Sequence, residues 1–352
     1  MSAVTLSYPL RSEALSELDE AHIRDLVRDL HRVQARRYWF DLSITVIVGW
    51  GAFAWAAAMP LFSARMFVGG AIAVLALYRA LCFLHELSHQ SRRTLPGLET
   101  VWNCIVGYAL LMPSFMYVGV HPNHHKLSTY GTAEDPEYLP FARSRRMTIF
   151  FALESFFIPA FLVARFLILT PAGLVWKRGQ ELLAIYASSL TMHTRYRREA
   201  PPALIGKIRR HSAAILCLWA AAIGAAAIGL LPWRIFIVWL LVCSFICFLN
   251  TTRTLGAHSY ESSGAPLDRM GQLLDSIDTP GGFWTELWAP VGLRYHALHH
   301  YFPGIPYHNL AAAYRRITAC VQVSAGYSQV TSPSLQRSLR VLYEKGARGG
   351  RV

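Results

Sequence analysis

Charged residues are scarce in this chain of 352 residues. Asp, Glu, Lys and Arg make up 16% of the sequence, whereas a soluble globular domain carries about 25%. Hydrophobic residues account for 53%, and the mean hydropathy is +0.29. This composition excludes an ordinary soluble protein and indicates an integral membrane protein.

Cysteine motifs, cofactor motifs and a secretory signal are also lacking. The six cysteines are scattered, and their spacing fits neither a zinc ribbon, an iron–sulfur cluster nor a disulfide framework. Residues 1–38 mix arginines with acidic residues and contain no apolar core of a signal peptide. No flavin fingerprint or haem domain is recognisable, so a redox reaction would take its electrons from a separate protein.

Positive charge is in excess, with a net charge of +13. The basic residues flank apolar segments and do not interleave with aromatic residues. This arrangement is typical of cytosolic loops beside anionic lipid. We therefore expect membrane lipids, and no nucleic acid, to be the partners of these charges.

Four segments are apolar and long enough to cross a bilayer, which takes about 20 residues. They form two hairpins, because only a few residues join the members of each pair. The four segments are residues 41–60, 66–84, 212–231 and 234–250. Two further apolar stretches, residues 101–120 and 147–169, lie between basic loops, so the positive-inside rule predicts re-entrant or interfacial helices there. The expected fold is an all-α integral membrane protein with four transmembrane helices, with both termini and the central loop in the cytosol.

The regions outside the spans are expected to be cytosolic. Apolar residues recur at helical spacing in residues 16–37, which predicts an amphipathic helix within an N-terminal region 1–39. Residues 40–315 would form the membrane domain with a cytosolic cap. Residues 316–352 would form a C-terminal cytosolic segment that ends in a frayed basic tail from residue 337.

Histidines are concentrated in four groups, which together hold nine of the 14 in the chain. The groups occur in the stretches "LHELSHQ", "HPNHH", "RTLGAH" and "HALHH". They contain His85 and His89; His121, His124 and His125; His258; and His296, His299 and His300. Spacings of three and four residues place imidazoles on one helix face, and the predicted topology puts every group beside the cytosolic membrane face.

Nine imidazoles exceed the four ligands of one tetrahedral zinc. They suit two ions of a metal that accepts five or six ligands and favours imidazole, and iron is the leading candidate. Read alone, His85-Glu86-Leu87-Ser88-His89 matches the H-E-x-x-H pattern of a zinc metalloprotease with Glu86 as base. That reading leaves seven clustered histidines unexplained.

These histidine boxes resemble those of the integral-membrane fatty acid desaturase and hydroxylase superfamily. Its signature is H-x(3 or 4)-H, H-x(2 or 3)-H-H and H/Q-x-x-H-H, and all three match in order, with a hairpin between the second and third. The stretches "YGTAEDPEYLPF" and "LHHYFPGIPYHNL" are similar to bacterial members of the desaturase branch. The resemblance covers about residues 40–315.

The resemblance implies a non-haem di-iron centre, O2 as oxidant and a fatty acyl substrate linked to a lipid, coenzyme A or a carrier protein. It implies metal ligation by all nine clustered histidines, with His258 as the extra histidine after the last hairpin. Thr254 departs from the pattern, since some members have Asn there. The implied activity is fatty acyl desaturation, with an external electron donor such as a ferredoxin or a small cytochrome. A bacterial inner membrane with a cytosolic active site is the expected location.

Three alternatives remain open at this point. A hydroxylase or ketolase of an apolar substrate would use the same histidines. An intramembrane zinc metalloprotease would use the first histidine box, His85 to His89. A metal transporter would place its ligands within the membrane spans, but the predicted spans are almost free of polar groups. Five acids are candidates for orienting the ligands from behind: Glu86, Asp135, Glu137, Asp275 and Asp278.

Overall fold

The structure, a computed structural model, describes residues 20–320 and 327–349. No β-strand is present in these residues, and their regular structure is helical, which confirms the all-α prediction. The α-helices are α1 Glu20–Val27, α2 Ala35–Ala58, α3 Ala64–His89, α4 Leu98–Trp102, α5 His121–His124, α6 Arg145–Glu154, α7 Ile158–Val163, α8 Thr170–Val175, α9 Lys177–Tyr186, α10 Pro202–Ala227, α11 Arg234–Leu255, α12 Arg269–Asp275, α13 Phe283–Trp288, α14 His296–Tyr301, α15 Tyr307–Ala319 and α16 Leu335–Gly349.

The chain forms two compact units, each assembled from separate stretches. One comprises residues 35–122 and 150–251 and is called the membrane unit below. The other comprises the described parts of residues 1–34, 123–149 and 252–352 and is called the histidine unit. The predicted regions 1–39, 40–315 and 316–352 follow the chain and do not coincide with these units, so those boundaries stay predictions.

Among the residues that the structure describes, five helical segments are long and apolar enough to cross a membrane: Ala35–Ala58, Ala64–His89, Arg145–Val175, Pro202–Ala227 and Arg234–Leu255. Four of them overlap the predicted spans over most of their length, although the first and third end at Ala58 and Ala227, before the predicted ends at residues 60 and 231. The first two pack closely, because a Cβ on Gly49 would lie 2.7 Å from Leu77 Cδ2 and one on Gly69 would lie 2.6 Å from Trp55. Helix α3 continues past its apolar part into His85 and His89, the first histidine box (box one); its cytosolic location stays a prediction.

The segment Arg145–Val175 is the one for which the sequence predicts no crossing. It is not a regular helix, since a 3₁₀ turn at Ser155–Phe157 and a π-helix at Ala164–Leu169 separate α6, α7 and α8. Arg165 is buried there and donates to Ala187 O at 2.6 Å and to Thr170 Oγ1 at 2.6 Å. Length and composition alone make this segment a fifth candidate, so the count of four spans is not confirmed.

The other stretch predicted to be re-entrant or interfacial, residues 101–120, contains no long helix. Helix α4 passes into a π-helix at Asn103–Gly107, and the chain then turns back, so that Asn103 Oδ1 accepts a hydrogen bond from Ser114 N at 2.7 Å. Carbonyl groups at this reversal accept hydrogen bonds from tryptophan N–H groups of three long helices. The donor pairs are Trp50 to Ile105, Trp219 to Tyr108 and Trp239 to Ala109, at 2.7, 3.1 and 2.8 Å. This reversal rules out one continuous span over residues 101–120, and the predicted re-entrant or interfacial position stays a prediction.

The histidine unit has its own apolar core. Helix α1 contributes Ile23 and Val27 to this core. They cluster with Leu298 of the third histidine box (box three, residues 296–300) and with Leu310 and Ile317 of α15. Helix α1 ends at Val27 and a 3₁₀ turn, so the predicted helix over residues 16–37 is shorter than expected, and residues 16–19 lie outside the described part. Helix α12 and box three pack in the same core.

The prediction of a frayed tail from residue 337 is wrong for the described residues. Helix α16 spans Leu335–Gly349, buries Leu342 and lies against the turn at Phe141–Arg143. A Cβ on Gly346 would be 2.6 Å from Arg145 N, so glycine allows the close approach of this helix. The glycines of this stretch suggested a tail, whereas Gly346 permits packing. Residues 350–352 lie outside the described part.

Candidate metal centre

Four histidines of the histidine unit form a buried cluster. One ring nitrogen of each lies within 4.8 Å of the others, and the residues are between 1% and 4% exposed. The Nε2 atoms of His296 and His258 are 2.8 Å apart, and those of His300 and His296 are 3.2 Å apart. The members are His124, His258, His296 and His300.

Short helices place three of these imidazoles. His124 ends α5, and His296 and His300 lie one turn apart on α14, so both face the same side. The carboxylate of Asp278 accepts hydrogen bonds from the first turn of α14, at 2.7 Å from Ala297 N and 3.2 Å from Leu298 N. Tyr327 donates to the same carboxylate at 2.6 Å. Asp278 therefore fixes the start of box three, as a helix-capping acid does.

Asp135 holds His124 from behind. Both carboxylate oxygens lie 3.0 Å from His124 Nδ1, and the carboxylate also accepts from Gly131 N and Glu137 N, each at 2.9 Å. Burial lowers the pKa of His124, but the charge and hydrogen bond of Asp135 outweigh it, so the net shift is upward. Because a carboxylate accepts hydrogen bonds and does not donate them, Nδ1 carries the proton of this contact, and Nε2 is left to bind a metal.

His258 is held by a tyrosine. Tyr130 Oη lies 2.9 Å from His258 Nδ1 and donates to Asp275 Oδ2 at 3.0 Å. Tyr138 donates to the other Asp275 oxygen at 3.1 Å. Burial raises the pKa of Asp275 to about 6, although these hydrogen bonds oppose the shift. Sequence reasoning did not single out Tyr130; the available signal was its place in "YGTAEDPEYLPF", since a buried tyrosine needs a hydrogen-bond partner.

The donor set fits a metal ion. Burial holds the pKa of His258 and of His300 well below the usual value, which favours the neutral imidazole that ligates metals. The Nδ1 atoms of His124 and His258 are held from behind, and the Nε2 atoms of His258, His296 and His300 face one another. Such facing acceptors in a buried space repel, and a cation between them removes the cost.

Three further predicted ligands lie together in the membrane unit. The rings of His85, His89 and His121 are separated by 5.0 Å, 4.7 Å and 4.9 Å between centroids. Tyr117 stacks on His121 and places its hydroxyl 2.8 Å from Nδ1. Glu86 is buried and accepts a hydrogen bond from Tyr38.

The last two, His125 and His299, belong to the histidine unit, with ring centroids 4.9 Å apart. His125 also stacks on His300 at 4.2 Å. All nine histidines therefore lie among other histidines, although their role as ligands stays a prediction. Of the remaining histidines, His211 contacts Tyr108 and His308 accepts from Gln34 N.

A family model described as fatty acid desaturase matches residues 63–331. The chain belongs to this family and is therefore an integral membrane oxidoreductase of the desaturase and hydroxylase superfamily. It is similar to the "Ceramide hydroxylase" of Caulobacter vibrioides (strain NA1000 / CB15N), with 36% identity over 327 residues. The match covers 91% of this chain and 92% of that protein. The resemblance inferred from the histidine boxes is confirmed, whereas desaturation as the reaction is not.

Proposed function

We propose that this protein hydroxylates the acyl chain of a ceramide-like membrane lipid. The observation that carries the proposal is the similarity to the Caulobacter ceramide hydroxylase over 91% of the chain. The buried four-histidine cluster supports it, because imidazole is the ligand type that oxygen-activating iron accepts in proteins. Hydroxylation replaces one C–H bond by C–OH and consumes O2, two electrons and two protons, with release of one water.

Two iron ions, when bound, supply the oxidising power that no amino-acid side chain has. The nine clustered histidines stay the predicted ligands of these ions, and within the histidine unit His124, His258, His296 and His300 would hold one of them. Asp135 and Tyr130 keep the Nδ1 atoms of their histidines engaged, so that Nε2 points inward. The protein must also hold one methylene in place, since methylenes of an acyl chain differ only in position.

Desaturation of a fatty acyl chain is the second candidate, favoured by the match to the fatty acid desaturase model. It removes two hydrogens from adjacent methylenes and, with O2, two electrons and two protons, releases two waters. The first C–H bond is broken at the same site in both reactions. A zinc metalloprotease would not account for the four-histidine cluster, because none of its members belongs to the H-E-x-x-H sequence.

Lipid mass spectrometry separates the two candidates. Membranes of a ceramide-producing bacterial host are compared with and without the expressed protein, next to a His124→Ala variant. A ceramide heavier by one oxygen atom, absent with the variant, supports hydroxylation. An acyl chain lighter by two hydrogens supports desaturation, and neither product in a host with an active electron donor contradicts both.

The electrons are proposed to come from a separate acidic donor, such as a ferredoxin or small cytochrome. The net charge of +13 favours docking of such a partner. Because screening weakens attraction between exposed charges, the rate of electron transfer should fall steeply as salt is raised. A rate independent of ionic strength would contradict electrostatic docking.

Four transmembrane helices are proposed, with the histidines on the cytosolic side of a bacterial inner membrane. The segments Pro202–Ala227 and Arg234–Leu255 separate His124 from His258 by two crossings. A third crossing by Arg145–Val175 would put the two histidines on opposite faces, about 30 Å apart. Their rings lie 5.2 Å apart, which supports an interfacial position for that segment. Thiol labelling of cysteines introduced at Lys177 and Arg143 tests this, since both should react from the cytosolic side only.

A further inference from the structure

An apolar groove lies between two long helices of the membrane unit, α3 and α11. Its volume is about 390 Å³, and its walls carry only apolar side chains and glycine. Val238 and Val242 are buried beneath it, whereas Phe67 and Phe245 stand at its edges with about half of their surface exposed (55% and 51%). A space of this size lies within the range of small-molecule sites, about 300–1,000 Å³.

The groove is remote from the metal ligands along the helix that carries both. Gly70, which lines the groove, precedes His85 by 15 residues. At a rise of 1.5 Å per residue this is about 22 Å. An acyl chain in the groove would therefore lie toward the opposite membrane face from box one.

Arg234 stands where the groove ends on α11. It lies one turn before Val238, on the same helix face. Its Nε donates to Ala57 O at 2.7 Å and its Nη2 donates to Ala58 O at 3.3 Å, at the last turn of α2. No carboxylate pairs with this guanidinium in residues 20–320 and 327–349, so its positive charge is uncompensated by the described protein.

We propose that the groove and Arg234 form a binding site for an anionic phospholipid. One acyl chain lies between α3 and α11, and the phosphate pairs with the guanidinium, which has five N–H donors and uses two on the carbonyl groups. Helix capping alone explains the contacts to Ala57 and Ala58, but it does not explain an uncompensated charge beside an apolar groove.

Native mass spectrometry of the detergent-purified full chain tests the site. Phosphatidylglycerol and phosphatidylcholine are offered together, and the retained lipid is counted per chain. The expected result is one phosphatidylglycerol retained in preference to phosphatidylcholine. Gly70→Leu should abolish this retention, because the new side chain enters open space in the groove. Gly51→Leu is the matched control, since a Cβ at either glycine meets no atom within 4 Å and Gly51 lies outside the groove.

Arg234→Gln separates the two halves of the site. Its amide still donates to a carbonyl group, and loss of the charge should lower the preference for phosphatidylglycerol about tenfold, as for one charge-assisted hydrogen bond. Equal retention by Gly70→Leu and Gly51→Leu overturns the groove as the tail site. An unchanged lipid preference in Arg234→Gln overturns the headgroup assignment. A dimer that Gly70→Leu converts to a monomer assigns the groove to a second copy and overturns the proposal.

Discussion

His124 and His258 belong to the same cluster, yet they are oriented in different ways. His124 forms a direct hydrogen bond with a carboxylate, because Asp135 follows it by 11 residues in the same turn-rich stretch. His258 meets a carboxylate through a tyrosine hydroxyl, and that tyrosine lies 128 residues away in the chain. One ligand is therefore fixed by local chain geometry, whereas the other is fixed only when distant segments of the histidine unit come together. Substitutions at the two positions should differ in magnitude.

The largest effect is expected from removal of a ligand. His124→Ala deletes one of the four imidazoles and leaves Asp135 buried without its partner, so bound metal and lipid product should both be lost. Metal content and lipid mass spectrometry measure this. His308→Ala is the control, since His308 lies outside the clusters, and it should retain both. Full activity in His124→Ala would refute the cluster as the site.

Removal of the direct carboxylate should have the next largest effect. Outer partners of metal-binding histidines are worth about 10–100-fold in metal affinity, and Asp135→Ala should lie near the upper end because it removes a charge and both contacts to His124. Competition with a chelator gives the affinity. Asp135→Asn keeps an acceptor and should recover part of the loss; if both variants bind metal as the natural protein does, Asp135 does not orient a ligand.

Removal of the tyrosine hydroxyl that links His258 to Asp275 should reduce metal affinity less. Tyr130→Phe removes the hydroxyl between His258 and Asp275 and should weaken metal binding about tenfold, the lower end of that range. Tyr138→Phe is a matched control, because it removes a hydrogen bond to the same Asp275 carboxylate without one to His258. Equal losses in the two variants would mean that Asp275 matters only for folding.

The smallest effect on metal affinity is expected from Asp278, which contacts backbone N–H groups of box three. Asp278→Ala removes a helix cap and leaves the buried Tyr327 hydroxyl without its acceptor. The free energy of unfolding should fall by about 1–3 kcal/mol, with the affinity of the folded protein nearly preserved. Thermal unfolding in detergent, followed with and without metal, distinguishes these quantities. A large loss of affinity without a loss of stability would assign Asp278 a direct role at the metal.

The same contrast explains what could be predicted from the sequence. The nine histidines stand in short motifs whose spacing has a meaning on any helix, so they could be recognised one by one. Tyr130 and Asp275 are 145 residues apart and meet only through tertiary packing, which one sequence does not reveal. Helix α16 was not predicted, because Gly346 allows a close approach to Arg145 that only the tertiary structure shows. The long spans were predictable from hydropathy, whereas Arg145–Val175 is apolar enough to cross, and the basic loops beside it and the closeness of His258 to His124 argue against a crossing.

Metal analysis of the purified protein tests the central claim most directly, that the histidine clusters bind two iron ions. The full chain is loaded with ferrous iron without oxygen, freed of unbound metal and measured for iron and zinc per chain. Two irons per chain, falling in His258→Ala and unchanged in His308→Ala, are expected. One zinc per chain, or iron retained equally by both variants, would contradict the account.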